Sequence, residues 1–156
     1  IKMPYSKLII FILNFLDYFQ QKKIINLINN KFLKPVIVFD VGAHYGETIK
    51  LFNKKLKLKK IYSFEASPKN FKILQNKISK YNLEKIEIFN YGIGEKISQS
   101  FINQTLESSS STINKLNMKS KYFEKKLKIL NIKNKSSFQY QIPIKIISLV
   151  YFYSKN

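Results

Sequence analysis

The sequence predicts an α/β fold, a parallel sheet with flanking helices, and three observations carry that prediction. Three short apolar runs, Val36-Ile37-Val38-Phe39, Ile61-Tyr62-Ser63-Phe64 and Ile86-Glu87-Ile88-Phe89, end at polar residues Asp40, Glu65 and Asn90. Stretches with helical spacing separate the runs. All four glycines, Gly42, Gly46, Gly92 and Gly94, follow the first or the third run. Strand, helix, strand, helix, strand with short connections implies right-handed crossovers and parallel pairing.

Residues 1–34 read as a helical leader. Leu8-Ile9-Ile10-Phe11-Ile12-Leu13 is apolar, but Asn14 and Asp17 interrupt it. The run is far short of the roughly 20 apolar residues that a spanning helix needs. Lys22 and Lys23 stand where a signal peptide would be cleaved. A cytoplasmic location follows, with peripheral membrane contact through this helix as the other reading. Phe15, Leu16, Phe19, Ile24, Ile25, Leu27 and Ile28 continue the helical spacing.

From Pro35 the pattern changes. The first run is wholly apolar and β-branched, as expected of an interior strand buried on both faces. Glu47 to Leu56 then has Ile49, Leu51, Phe52 and Leu56 at helical spacing. After the second run, Ser67-Pro68 is a helix start: Ser caps free amides and Pro suits the first helical position. Phe71, Ile73, Leu74, Ile78 and Tyr81 supply that helix's apolar stripe. Lys96 to Ile102 is expected as a strand after a turn at Gly94, Ser108 to Thr112 as a polar loop, and Met118 to Leu130 as a weak helix. Gln139 to Ile146 alternates, with Tyr140, Ile142, Ile144 and Ile146 on one face of a strand that Pro143 directs towards an edge.

Composition limits the chemistry. The 156 residues are 45% hydrophobic, enough for a packed core and too many for a disordered basic tail. The absence of Cys removes disulfides, thiolate zinc sites and thiol nucleophiles, and the single His44 leaves no His cage, so no metal is expected. The net charge is +19, and all 28 basic residues are Lys. A protein recognising phosphates or guanines favours the Arg fork, so no specific nucleic-acid partner is expected. Coding from an AT-rich genome is the favoured source of the charge, and a selected anionic-surface site is the other.

Ligands of open parallel sheets bind beyond the carboxyl ends of the strands, where these glycines lie. The first turn, Asp40-Val41-Gly42-Ala43-His44-Tyr45-Gly46-Glu47-Thr48, is not G-x-G-x-x-G: its glycines are four apart and an acid precedes them. Asp40 would repel a pyrophosphate and stabilise a cation. A nucleoside carrying positive charge fits, and S-adenosylmethionine, with its sulfonium and ammonium, is such a molecule. Glu65 is placed to accept ribose hydroxyls. Asn90, Tyr91 and Gly92 fall where an adenine would lie.

These segments, together with Tyr62-Ser63-Phe64-Glu65-Ala66-Ser67-Pro68 and Asn90-Tyr91-Gly92-Ile93-Gly94, resemble the FkbM-type family of S-adenosylmethionine-dependent methyltransferases. Ser108-Ser109-Ser110-Ser111-Thr112 and Ile146-Ile147-Ser148-Leu149 match it in order and spacing. The resemblance covers roughly Pro35 to Leu149. It implies a Rossmann-like class I methyltransferase fold, with Asp40, Gly42 and Gly46 at the methionine part and Glu65 at the ribose. The candidate cofactor-binding set is Asp40, Gly42, Ala43, His44, Gly46, Glu47, Thr48, Glu65, Ala66, Ser67, Asn90, Tyr91 and Gly92. It also implies a small-molecule or glycan acceptor methylated at a hydroxyl.

His44 stands where the family usually has Asn, and Val150 where it usually has Asp. The family continues into further strands, so residues 35–156 are expected to be the cofactor-binding half of a domain truncated before its later strands. No catalytic base is assigned, and little turnover is expected of this chain. An exposed apolar edge and face, with marginal stability or self-association, are also expected. Two other classes compete. One is a binding module for nucleic acid or anionic membranes using Lys54, Lys55, Lys57, Lys59 and Lys60, which fit the exposed face and end of a helix. The other, a dinucleotide oxidoreductase, is disfavoured by Asp40 and the glycine spacing.

Overall fold

The computed structural model describes residues 19–79, 81, 83–105, 111–114, 117, 119–129 and 139–155. Leu8 to Leu13, Phe15, Leu16 and Ser108 to Ser110 lie outside them. Contacts divide the chain into two compact units, one of residues 1–33 and 116–138, the other of residues 34–115 and 139–156. The sequence reading draws one boundary, at 34/35; the contacts divide the chain at 33/34, 115/116 and 138/139. In the first unit a helix, α1, runs through 19–31 and buries Ile25. Among the described residues no helix is long and apolar enough to cross a membrane.

The second unit is α/β, and its parallel sheet follows the predicted alternation. Its elements are β1 (Val36–Val41), α2 (Glu47–Lys55), β2 (Leu58–Phe64), α3 (Pro68–Ile78), β3 (Ile86–Phe89), β4 (Gly92–Ile93) and β5 (Ser98–Thr105). The chain then passes through α4 (Lys121–Ile129) of the first unit, which buries Phe123 and Leu127, before β6 (Gln139–Ile147) and α5 (Leu149–Lys155). β1, β2 and β3 form a parallel sheet in that order. A second sheet has the order β4-β6-β5, with β4 parallel and β5 antiparallel to β6. Only Asn90 and Tyr91 separate β3 from β4, so the chain changes sheets within two residues. Gly92, one of the residues expected beside an adenine, is thus the first residue of β4.

Local chemistry accounts for the helices. The Ser67 hydroxyl accepts the Asn70 N–H at 3.3 Å and Pro68 occupies the first turn of α3. Such a cap contributes about 1 kcal/mol. Leu74 and Ile78 of α3 are buried, as is Ile49 of α2, while Phe71, Ile73 and Tyr81 are half-buried.

Three strand expectations are corrected. β1 is not buried on both faces: among the described residues it pairs only with β2, and Ile37, Phe39 and Val41 are 48%, 38% and 56% exposed. An apolar run fixes strand character, but cover depends on what packs on each face, which the run itself does not encode. The expected apolar edge and face are thus present. β2 starts at Leu58, so Lys59 and Lys60 lie in a strand, not on a helix end. Lys60 forms an ion pair with Glu87 at 2.6 Å. β6 is the middle strand of its sheet, yet at Pro143 it faces only Phe101 of β5, because β4 reaches no further than Ile146 and Ile147. Pro143 is tolerated where pairing is one-sided.

Among the described residues, two apolar clusters flank the strand ends of this unit. Phe64, Ile147 and Phe152 pack with Tyr62, Phe89, Tyr91, Ile93 and Leu149. Ile102, Ile144 and Ile146 pack with Ala66 and Ile142.

Candidate functional site

The turn after β1 departs from ordinary backbone at three positions. Gly42, His44 and Gly46 have φ of 88°, 49° and 85°, all in the left-handed region. The two glycines serve different ends. A Cβ on Gly42 would meet nothing within 4 Å, which leaves the backbone open to a ligand. A Cβ on Gly46 would sit 2.8 Å from Leu74 Cδ1, so this glycine lets α2 start against α3. Gly46→Ala is expected to cost about 2–3 kcal/mol, from left-handed strain together with overpacking. Gly42→Ala should cost only the strain, about 1 kcal/mol. Urea unfolding of both variants checks this, and equal losses would contradict the division of roles.

Hydrogen bonds tie the three strand ends together. The N–H groups of Gly42 and Ala43 donate to the Phe64 carbonyl at 2.8 and 3.0 Å. The buried Glu65 carboxylate accepts the His44 N–H at 2.8 Å, the Ser67 N–H at 2.9 Å and the Asn70 amide at 3.5 Å. The Asn90 amide donates to the carbonyls of Glu65 at 2.7 Å and Ala66 at 3.2 Å. Glu47 accepts the Tyr45 N–H at 3.2 Å and lies 3.6 Å from His44 Nδ1.

A cavity of about 480 Å³ lies over these ends. Of the candidate set it is lined by Gly42, His44, Glu65, Ala66, Tyr91 and Gly92. The others stand outside the lining. Asp40 lies at the turn's base, where its carboxylate accepts the Ser63 hydroxyl at 3.2 Å. Ala43, Gly46 and Ser67 are buried, Ser67 as the cap of α3, and Thr48 is half-buried in α2. Asn90 lines a neighbouring cavity of about 600 Å³ that shares Ala66 and Tyr91 with the first. Glu47 lines a third.

The far wall was missed by sequence reasoning: Ile102 and residues 111–114 line the same cavity. Segment 111–114 is held there by β5. Asn103 and Thr112 exchange backbone hydrogen bonds, and the Ser111 hydroxyl accepts from Gln104 Nε2 at 2.9 Å and the Thr105 N–H at 3.1 Å. Three consecutive buried polar residues, Asn103, Gln104 and Thr105, make this brace. The only signal was the segment Ser108 to Thr112, read as a polar loop and quoted in the family resemblance but given no site role.

Electrostatically this corner is unlike the rest of the chain. Of nine acidic residues, Asp40, Glu47 and Glu65 lie near enough for the latter two to act on Asp40. Burial, chiefly, raises the Asp40 pKa above 3.8; the Ser63 hydrogen bond opposes this, and the charges of Glu47 and Glu65 add to the rise. No described residue lining the cavity is Lys, although the chain has a net charge of +19. Lys54, Lys55, Lys57 and Lys59 are exposed. Among the described residues no three His, Cys, Asp or Glu side chains are grouped to hold a metal ion.

No protein-family profile and no curated protein sequence matches the chain. Among solved structures, the crystal structure of methyltransferase FkbM from Methylobacillus flagellatus KT is similar to it at 24% identity and a TM-score of 0.37. The similarity covers 42% of this chain, and 19% of that one.

Proposed function

We propose that this chain carries the cofactor-binding half of a cytoplasmic S-adenosylmethionine-dependent methyltransferase whose acceptor is a hydroxyl of a sugar, glycan or other metabolite. One observation carries the reading: a cavity lined by Glu65, with Asp40 and Glu47 close to it and no Lys among its described lining residues, in a chain otherwise dense in Lys. A pyrophosphate would meet like charge there, whereas a cation would be stabilised. The cavity's volume of about 480 Å³ and the open backbone at Gly42 suit a nucleoside.

When bound, the cofactor would supply a reactive methyl group for in-line displacement. The chain's own part is to hold and orient. Gly42 permits close approach, and Asp40 supplies negative potential from beneath the turn. Glu65 accepts three donors, and a carboxylate has about four acceptor sites, so capacity remains for a ribose hydroxyl. Ala66 and Tyr91, shared between adjoining cavities, suit the base.

Calorimetry with S-adenosylmethionine, NAD and ATP tests the reading: the first should bind and the phosphate-bearing pair should not. Binding of NAD or ATP in its place would overturn it. Asp40→Asn separates site from scaffold. A carboxyl whose folded pKa is raised contributes stability below its unfolded value and loses it as pH rises through the folded one. At neutral pH the substitution should therefore leave stability unchanged or improve it, while weakening S-adenosylmethionine by about tenfold. In the unsubstituted chain, affinity should fall as pH drops through the raised Asp40 pKa, and calorimetry across pH measures that slope.

A further inference from the structure

Every described lining residue of the three cavities belongs to the α/β unit. The other unit, residues 1–33 and 116–138, is distinguished by its charge. Its sequence holds twelve Lys against two acids, Asp17 and Glu124, so about half of the net charge of +19 falls on about a third of the residues. Within it, α1 turns a mixed face outward. Lys23, Leu27 and Lys31 are spaced by four, with Ile24 beside Leu27, so the four share one side of the helix. All four are exposed, Ile24 by 50% and Leu27 by 65%, while the buried Ile25 falls on the opposite side. The pattern recurs on α4. Tyr122 and Ile129 share an exposed side with Lys121 and Lys125, and Phe123 and Leu127 turn inward.

We infer that the outward face of α1 docks on an anionic phospholipid bilayer, lying along its surface with Ile24 and Leu27 in the headgroup layer. The inference stands independently of the methyltransferase reading. Charge complementarity names the occupant. Flanking lysines keep their ammonium groups at the phosphates while their stems and the two aliphatic side chains cover apolar area. Two aliphatic residues offer too little area to hold a neutral bilayer alone, so the lysines must add to them. A second copy of the chain would bring the same +19 and be repelled. Nucleic acid would use the charge but leave Ile24 and Leu27 without a role, and no Arg fork is present to grip its phosphates.

The test is co-sedimentation of the full chain with phosphatidylcholine vesicles, with and without about one-third phosphatidylglycerol. Binding should be about tenfold tighter or more to the anionic vesicles, and should weaken steeply as salt is added. The double variant Ile24→Asn, Leu27→Asn should lose about tenfold in affinity with its circular dichroism unchanged. Lys23→Gln with Lys31→Gln should lose about thirtyfold. Val150→Asn removes an equally exposed apolar side chain from α5 of the other unit, and should change nothing. The chain has no Trp, so Leu27→Trp supplies a single reporter that stands whether or not the double variant folds. Its emission should shift to the blue on anionic vesicles, whereas that of Val150→Trp should not. Equal binding to neutral vesicles, binding to duplex DNA as tight as to the anionic ones, or no blue shift at position 27 would each overturn the inference. A lipid-free oligomer that dissociates in the Ile24, Leu27 variant would also overturn it, making a second copy the occupant.

Discussion

Glu65→Ala is expected to abolish S-adenosylmethionine binding and to lower the unfolding free energy by about 2–4 kcal/mol. The side chain is buried and accepts donors from two separate loops: the His44 N–H after β1, and the Ser67 N–H and Asn70 amide at the start of α3. Truncation leaves those donors without partners, and each buried unsatisfied donor costs about 1–3 kcal/mol, less any relief from entering water. Glu65→Gln keeps the volume but turns one oxygen into an NH₂, which then faces a backbone N–H. It should lose about 1–2 kcal/mol and nearly all affinity, since a ribose hydroxyl is best accepted by the carboxylate. Urea titration and calorimetry on both variants check this. A Gln variant that still bound the nucleoside at full strength would remove Glu65 from the site.

The second large effect is in the core. Phe152→Ala should cost about 3–5 kcal/mol, the range for emptying a buried aromatic position. Its ring lies 4.9 Å from Phe89, 5.1 Å from Phe64 and 5.3 Å from Tyr62, each in an edge-on arrangement. Such pairs add about 0.5–1.5 kcal/mol beyond burial. Phe152 is the one buried residue of α5, while Val150, Tyr151 and Tyr153 are exposed. The helix is short and capped only by Ser148, whose hydroxyl accepts the Tyr151 N–H at 3.0 Å. Without the ring, α5 has little to hold it against the parallel sheet. Chemical denaturation gives the magnitude, and near-ultraviolet circular dichroism should show the loss of aromatic order. A loss under 1 kcal/mol would mean that α5 is not anchored through this residue.

The parts of the fold legible in the sequence were those written in local chemistry. Ser67-Pro68 marks the start of α3 because capping and ring constraint act within one turn, and the structure shows that cap. The three strands were legible from their runs, although β1 continues through Asp40 to Val41, one residue past the polar position where its apolar run stops. What pairs with or covers a strand was not legible: nothing in Val36 to Phe39 shows that one face lies open. The step from one sheet to the other at Asn90 and Tyr91 was not legible either: Asn90 favours a turn, but a turn residue does not say which sheet the next strand joins. Within the candidate site, sequence located the near wall, at Gly42, His44, Glu65 and Ala66. It passed over residues 111–114, which reach the cavity only through the brace made by β5. Spacing grouped Gly42 with Gly46, but only coordinates separate an open backbone from a packing gap.

The bond from His44 N–H to Glu65 has one more consequence. His44 is a left-handed non-glycine residue, a conformation that normally carries strain. The carboxylate fixes it in the free protein, so the receptor is preorganised and a guest need not first order the rim. Entry should then resemble a key meeting a cut lock, with little backbone adjustment and a small conformational entropy penalty on capture.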